Sequence, residues 1–227
     1  MKHSRPRYVE PWMKPWEDRV AREMRPGMTI LDVGSGRRPT IPPGERPPSC
    51  TYVGLDLSMD ELQAAPEGSY DESICGDVAG FLPALEASFD VVLAWQVLEH
   101  VRPLEAAVDN IHRYLVPGGT FLGHLSGRFS LFALLNSILP HRLGVWGMEH
   151  LLGRDHATIF PAQYDQCWHG ALERILSDWD QAEVVSRYRG SGYFRFFGPL
   201  ERAYLVYEDW TVRHPNLATH YLISARG

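Results

Sequence analysis

Cysteine is scarce: Cys50, Cys75 and Cys167 are the only three among 227 residues. Three scattered thiols cannot build a disulfide framework or a local zinc knuckle. The expectation is a reducing, cytoplasmic compartment. Long hydrophobic runs are missing too. No window approaches the roughly 18 uninterrupted apolar residues of a membrane-spanning helix. The opening MKHSRPRYVEPW lacks the apolar stretch of a secretory signal. Positive charge is not in excess either. The formal net charge is −6, so no global basic field is available for nonspecific binding to nucleic acid. The histidines number ten but are dispersed and lack metal-ligand spacing, so no metal site is expected.

Apolar residues make up 44% and charged residues 22%, enough for one well-packed core, and the length suits a single domain. Residues 1–26 read as an irregular arm interrupted by Pro6, Pro11 and Pro15, then a helix from Trp16 to Met24. Short apolar runs follow at Thr29–Val33, Tyr52–Leu57, Ser73–Cys75, Phe89–Ala94 and Thr120–Leu125. Continuous apolar runs suit strands covered on both faces, as in a parallel sheet. Pro103–Leu115 reads as a helix, with Leu104, Ala107, Val108, Ile111 and Leu115 on one face, and Pro117-Gly118-Gly119 turns the chain into strand five. Between Gly36 and Tyr52, Pro39, Pro42, Pro43, Pro47 and Pro48 exclude a regular helix, so that crossover is expected to be an irregular loop.

Residues 27–125 form the cofactor-binding core of this reading, and 126–180 a helical lid or substrate region. Within the latter, Ser130–Leu139, Gly147–Gly153 and a longer stretch, Tyr164–Trp179, are the helix candidates. Residues 181–227 supply strand six (Glu183–Tyr188), a helix (Pro199–Val212) and strand seven (His220–Ala225).

The chemistry-bearing motifs all stand at the carboxyl ends of strands, where open α/β sheets bind ligands. ILDVGSG (Ile30–Gly36) ends a buried strand in Asp32 and then places glycines at 34 and 36, which permit a sharp turn and close approach to a ligand. Asp56 ends the second strand, where a carboxylate can accept both hydroxyls of a ribose. Asp77 follows the third, placed to receive an exocyclic amine such as that of adenine, and AWQVLEHV follows the fourth. Each acid alone would more ordinarily be a cap or turn residue; the ordered set points to an adenosine.

These segments resemble the class I S-adenosylmethionine-dependent methyltransferases, in the subset that includes the ubiquinone and menaquinone biosynthesis type. ILDVGSG resembles the first motif, VGLDLS the second, GDV the third, FDVVLAWQVLEHV the fourth and LVPGGTF the turn that follows. The resemblance implies an α/β, Rossmann-like, seven-stranded, mostly parallel sheet with helices on both faces and a helical lid after strand five. It implies S-adenosylmethionine as cofactor. Asp32, Gly34, Ser35 and Gly36 would line its methionine end, Asp56 with Leu57 its ribose and adenine, Asp77 with Val78 the adenine amine, and Trp95 with Gln96 the sulfonium. The chain departs from the family where a third glycine is common, at Arg37-Arg38-Pro39.

Transfer from a sulfonium is an in-line displacement on an activated methyl, so alignment does much of the work and a base matters when the acceptor is protonated. Candidate bases are His100 and His124, with His169 more suited to packing. Phe129, Leu131, Phe132, Leu134, Leu135, Ile138, Leu139, Tyr193, Phe194, Phe196 and Phe197 could wall a pocket for a small, partly apolar acceptor. DNA is not expected. The Asn/Asp-Pro-Pro-aromatic motif of DNA amino methyltransferases is replaced by AWQV, and no Pro-Cys pair of the cytosine enzymes occurs. Two alternatives stand beside methyl transfer: a non-catalytic protein that binds the same cofactor, and a nicotinamide oxidoreductase. The second lacks its third fingerprint glycine, because Pro39 stands there.

Overall fold

The computed structural model describes residues 13–130, 163–188 and 197–227. Seven strands form one sheet: β1 (Thr29–Val33), β2 (Thr51–Asp56), β3 (Glu72–Cys75), β4 (Phe89–Trp95), β5 (Leu115–Ser126), β6 (Gln181–Arg187) and β7 (His220–Arg226). Their order is β3-β2-β1-β4-β5-β7-β6. The first five are parallel neighbours, while β7 runs antiparallel to both β5 and β6. The order reverses at β1, which places a crevice between the ends of β1 and β4.

Alternation along each strand divides the core. Ile30, Tyr52, Val91, Leu93, Leu122 and Leu222 face one side, where Trp16 of α1 (Met13–Glu23) and Ile41 cover them. Leu31, Val33, Val53, Leu55, Val92 and Ala94 face the other, under α3 (Leu104–Tyr114) and α4 (His169–Ile175). A short α2 (Met59–Gln63) follows β2, and α5 (Gly198–Thr211) precedes β7.

The proline-rich crossover is irregular, with a single 3-10 turn at Pro43–Glu45. Ile41 nevertheless fills core space that a crossover helix would ordinarily fill. The loop is fastened by Arg46, whose guanidinium lies 3.6 Å over the Tyr52 ring and donates to the carbonyls of Ile41 (3.0 Å) and Ser69 (2.7 Å). Side-chain anchors thus replace the repeating backbone bonds that proline forbids.

Three elements differ from the sequence reading. The helix expected over Tyr164–Trp179 is only His169–Ile175, because Tyr164 and Gln166 adopt left-handed backbone and Asp165 is used elsewhere. The Asp165 carboxylate accepts from Leu104 N at 3.0 Å, capping α3, whose own N-cap Pro103 has no side chain to do so. Strand β5 begins at Leu115, so the Pro-Gly-Gly turn is an irregularity inside its head: pairing slips between Phe89 and Val91, and Gly118 donates to Gly227 O at 2.7 Å. The last buried residue of α3 is Tyr114 rather than Leu115. The expected helices Ser130–Leu139 and Gly147–Gly153, most of the lid, the arm before residue 13 and the Tyr193–Phe196 wall lie outside the described residues. Among the described residues no helix is long and apolar enough to cross a membrane.

Candidate active site

The β1 turn is built on two glycines with positive φ, Gly34 (+68°) and Gly36 (+48°). A side chain at 34 would collide with Val97, in the loop after β4. Gly34 N donates to Leu55 O of β2 at 2.7 Å. A Cβ on Gly36 would stand 3.5 Å from Oδ2 of Asp56. The turn therefore lies against the ends of both neighbouring strands, and the first, second and fourth motifs meet at one edge of the sheet. The third motif joins through Gly76 N, which donates to Asp56 O at 2.9 Å, and through Cys75 Sγ against Leu57 O at 3.4 Å.

At this edge Asp56 is half-buried and uses Oδ1 to accept from Ser58 N at 3.0 Å. Its Oδ2 faces the glycine turn. Leu57 beside it is 73% exposed, an apolar side chain standing open at the strand end. Asp77 is exposed, with Oδ1 accepting from Ala79 N at 2.9 Å. Val78 is buried, and its carbonyl accepts from Asn110 Nδ2 at 2.9 Å. Asn110 belongs to the buried face of α3, and a polar residue inside that apolar stripe was the available signal of its role. Ser35 is buried within the turn. Gln96 is exposed with left-handed backbone (φ +54°), and its N–H donates to His124 O at 2.8 Å. Strain of this kind concentrates at functional sites.

Three expected residues, Asp32, His124 and Trp95, sit elsewhere than supposed. Asp32 does not line the crevice; it lies fully buried on the α1 side of the sheet. Its carboxylate accepts from Thr40 N (2.6 Å), Thr40 Oγ (2.7 Å) and Tyr52 Oη (2.7 Å). The reason is the pleat: in β1, residues 30 and 32 share the face that the proline-rich loop covers. Burial pushes the Asp32 carboxyl up to about 6 against these three donors and the Arg46 charge. His124 is likewise in the core. It stacks on Trp95 (4.2 Å between centroids) and His220 (5.1 Å), while Trp95 also meets Trp16 at 4.9 Å. Trp95 thus turns toward α1. Burial lowers the His124 pKa to about 3, so its imidazole is neutral at physiological pH. His169 is structural, with Nε2 3.2 Å from Val184 O and Nδ1 3.1 Å from Glu173.

The His124 shift has a measurable consequence. The unfolded imidazole takes a proton near 6.5 and the folded one resists it, so this contribution to stability is complete above 6.5 and is lost as pH falls toward 3. His124→Phe keeps a ring in the stack. Relative to the wild type, its unfolding free energy should rise by about 1.4 kcal/mol per pH unit on acidification below 6.5. Denaturant titrations at a series of pH values read this directly, and parallel pH curves for the two proteins would contradict it.

Sequence reasoning passed over Glu99. It is buried beyond β4, and burial raises its pKa while the neighbouring His100 charge opposes the shift. Oε1 accepts from Ser126 N at 3.2 Å, and its carbonyl accepts from the N–H groups of Gln163 (2.8 Å) and Tyr164 (2.9 Å). Glu99 therefore ties the end of β5 to the segment leading into α4. Among the described residues no cluster of histidine, cysteine and acid could hold a metal ion.

A seven-stranded sheet of this order with antiparallel β7, a glycine turn after β1 and acids at the ends of β2 and β3, defines the class I methyltransferase fold. The sequence profile of the family described as "Methyltransferase domain" matches residues 2–171, and the chain belongs to that family. A ubiquinone biosynthesis O-methyltransferase of Paramagnetospirillum magneticum is 30% identical over 135 residues, 57% of this chain and 51% of that protein. A malonyl-[acyl-carrier protein] O-methyltransferase of Xylella fastidiosa is 34% identical over 110 residues, 46% of this chain and 37% of that protein. The chain thus spans about half or less of these curated relatives. The solved SAM-dependent methyltransferase of Archaeoglobus fulgidus superimposes with a TM-score of 0.55 at 15% identity, covering 94% of each chain.

Proposed function

We propose that this chain binds S-adenosylmethionine and transfers its methyl group to an oxygen atom of a small or medium organic acceptor. The observation that carries the reading is the open space that Gly36 leaves in front of the Asp56 carboxylate, beside the point where strand order reverses. A side chain at 36 would fill that space; glycine leaves it for a ligand. The residues fit the cofactor. Asp56 accepts from the ribose hydroxyls, Leu57 and Val78 flank the adenine, and Asp77 takes its amine. Gly34, Ser35 and Gly36 surround the methionyl part, and Gln96 stands at the sulfonium end. Asp32 and Trp95 act from beneath: one holds the proline-rich loop, the other packs the end of β4.

When bound, the sulfonium supplies an activated methyl, whose bond electrons return to sulfur as the new bond to the acceptor forms. The protein's part is to keep acceptor, methyl and sulfur in line and to shed water. His124 is too deeply placed to take a proton from the acceptor, which leaves His100, in the turn after β4, as the remaining candidate base; an acceptor already ionised at neutral pH, such as a carboxylate or an acidic phenol, would need none. The two O-methyltransferase relatives support oxygen as the attacked atom. The irregular chain after Gly36 weighs against a nicotinamide cofactor, whose pyrophosphate rests on a helix N-terminus.

Calorimetry with S-adenosylhomocysteine and NAD, followed by a tritiated-methyl screen of carboxylic acids and phenols, tests the proposal. Binding of S-adenosylhomocysteine and labelled ester or ether products are expected. Binding without any transfer would instead favour a non-catalytic role, and binding of NAD alone would overturn the reading.

A further inference from the structure

The place where this chain departs from its family, Arg37 in the stretch that often carries a third glycine, contains a built feature. Ser58-Met59-Asp60-Glu61 has the spacing of a capping box at the start of α2. Half of the box forms: Ser58 Oγ accepts from Glu61 N at 3.2 Å. The other half does not, since Ser58 N already donates to Asp56 Oδ1. The Glu61 carboxylate is taken instead by Arg37, whose Nε donates to Oε2 at 2.7 Å and whose terminal nitrogen donates to Oε1 at 2.5 Å. This is a two-point, fork-on-fork ion pair, the geometry that distinguishes arginine from lysine.

Its position matters. A Cβ on Gly36 would have Asp56 Oδ2 and Glu61 Oε2 both within 3.8 Å. Two carboxylates therefore flank the same turn, one at the proposed ribose position and one beside it. A bare carboxylate at 61 would bring a second negative charge to this rim. A second clamp on the turn, Tyr70 Oη donating to Gly36 O at 2.8 Å, carries no charge.

We propose that Arg37 is a positioning residue for the nucleoside: by neutralising Glu61 beside the Gly36 turn, it leaves Asp56, among the described residues, as the uncompensated acid facing the ribose. The inference rests on the ribose role given to Asp56 above. Arg37 acts through Glu61 and Asp56 and touches neither of the reacting atoms. In a mere fastening of α2, removing both partners would be as harmful as removing one. In charge compensation, removing Glu61 cures the loss of Arg37.

The test is calorimetric titration of the full chain with S-adenosylhomocysteine at low and high salt, with melting midpoints measured alongside. R37A should bind about tenfold more weakly at low salt, with the defect shrinking at high salt as the repulsion is screened. R37A/E61Q should return to within about threefold of the wild type, because the neutral amide that replaces the Glu61 carboxylate brings no charge. R37K, which keeps the charge without the fork, should also stay within about threefold and covers the case in which R37A loses its fold. Wild-type affinity in R37A, or a double variant as weak as R37A, would overturn the inference. A wild-type chain that does not bind S-adenosylhomocysteine would bring down the ribose reading first.

Discussion

Asp56→Ala should weaken S-adenosylhomocysteine binding about 100-fold, while the melting midpoint moves little. Two hydroxyls donating to one carboxylate form charge-assisted hydrogen bonds, each worth roughly 1.5–3 kcal/mol, so losing both reaches that magnitude even with partial compensation by water. The fold should tolerate the change. Asp56 is half-buried at the end of β2, and within the chain its carboxylate accepts from Ser58 N at the entry to α2. Calorimetry of the variant decides the matter: an unchanged affinity would remove Asp56 from the cofactor site. Asp56→Asn should lie between, since the amide keeps one acceptor oxygen but loses the charge.

Asp32→Ala should do the opposite, lowering stability first and binding only as a consequence. The substitution strands the buried Tyr52 hydroxyl and the Thr40 N–H and releases the proline-rich loop from the sheet. Buried donors left without acceptors cost roughly 1–3 kcal/mol each. Relief of the buried charge offsets part of this, so the expected loss is about 3 kcal/mol, or roughly 6–12 °C in melting midpoint for a chain of this size. Asp32→Asn is the control. Its oxygen can serve Thr40 N and Tyr52 Oη, and its amide can donate to a rotated Thr40 hydroxyl. Denaturant unfolding of both variants checks the ordering, and an alanine variant as stable as the asparagine one would contradict it.

The same carboxyl has a pH signature opposite to that of His124. Its folded pKa of about 6 lies above the ordinary 3.8. Its contribution to stability is therefore complete below 3.8 and lost as pH rises through about 6. Between those values Asp32 and His124 tilt the stability curve in opposite directions. Asp32→Asn should remove one tilt and expose the other.

Much of the architecture was legible because it rests on local chemistry. Thr29–Val33 carries Ile30, Leu31 and Val33 in a short apolar run and is a strand over the same residues. Pro103 and the spacing of Leu104, Ala107, Val108 and Ile111 marked the start and buried face of α3. The prolines between Gly36 and Tyr52 excluded a helix there on steric grounds alone, as found. Less legible was β3, whose four residues are mostly exposed at the sheet edge and so carry little apolar pattern. The 164–168 stretch looked helical because its composition permits a helix. Its backbone is instead spent on Glu99 and its Asp165 on α3, contacts with partners far away in the chain.

The candidate site divides along the same line. Residue order by itself placed glycines after β1 and acids after β2 and β3, and parallel strands carry such residues to one edge of a sheet. Which side of that edge each side chain serves was a tertiary matter. Asp32 and His124 carry the right chemistry, yet the pleat turns both into the α1-side core, where burial raises one pKa and lowers the other. The local pattern offers Glu61 only as a capping-box partner and Asn110 only as a polar break in an apolar stripe; the roles these residues and Arg37 take exist only once α2 and α3 are packed beside the strand ends. Sequence determines which groups reach the crevice edge; packing decides which of them meet a ligand, since direction and desolvation depend on neighbours that no local pattern contains.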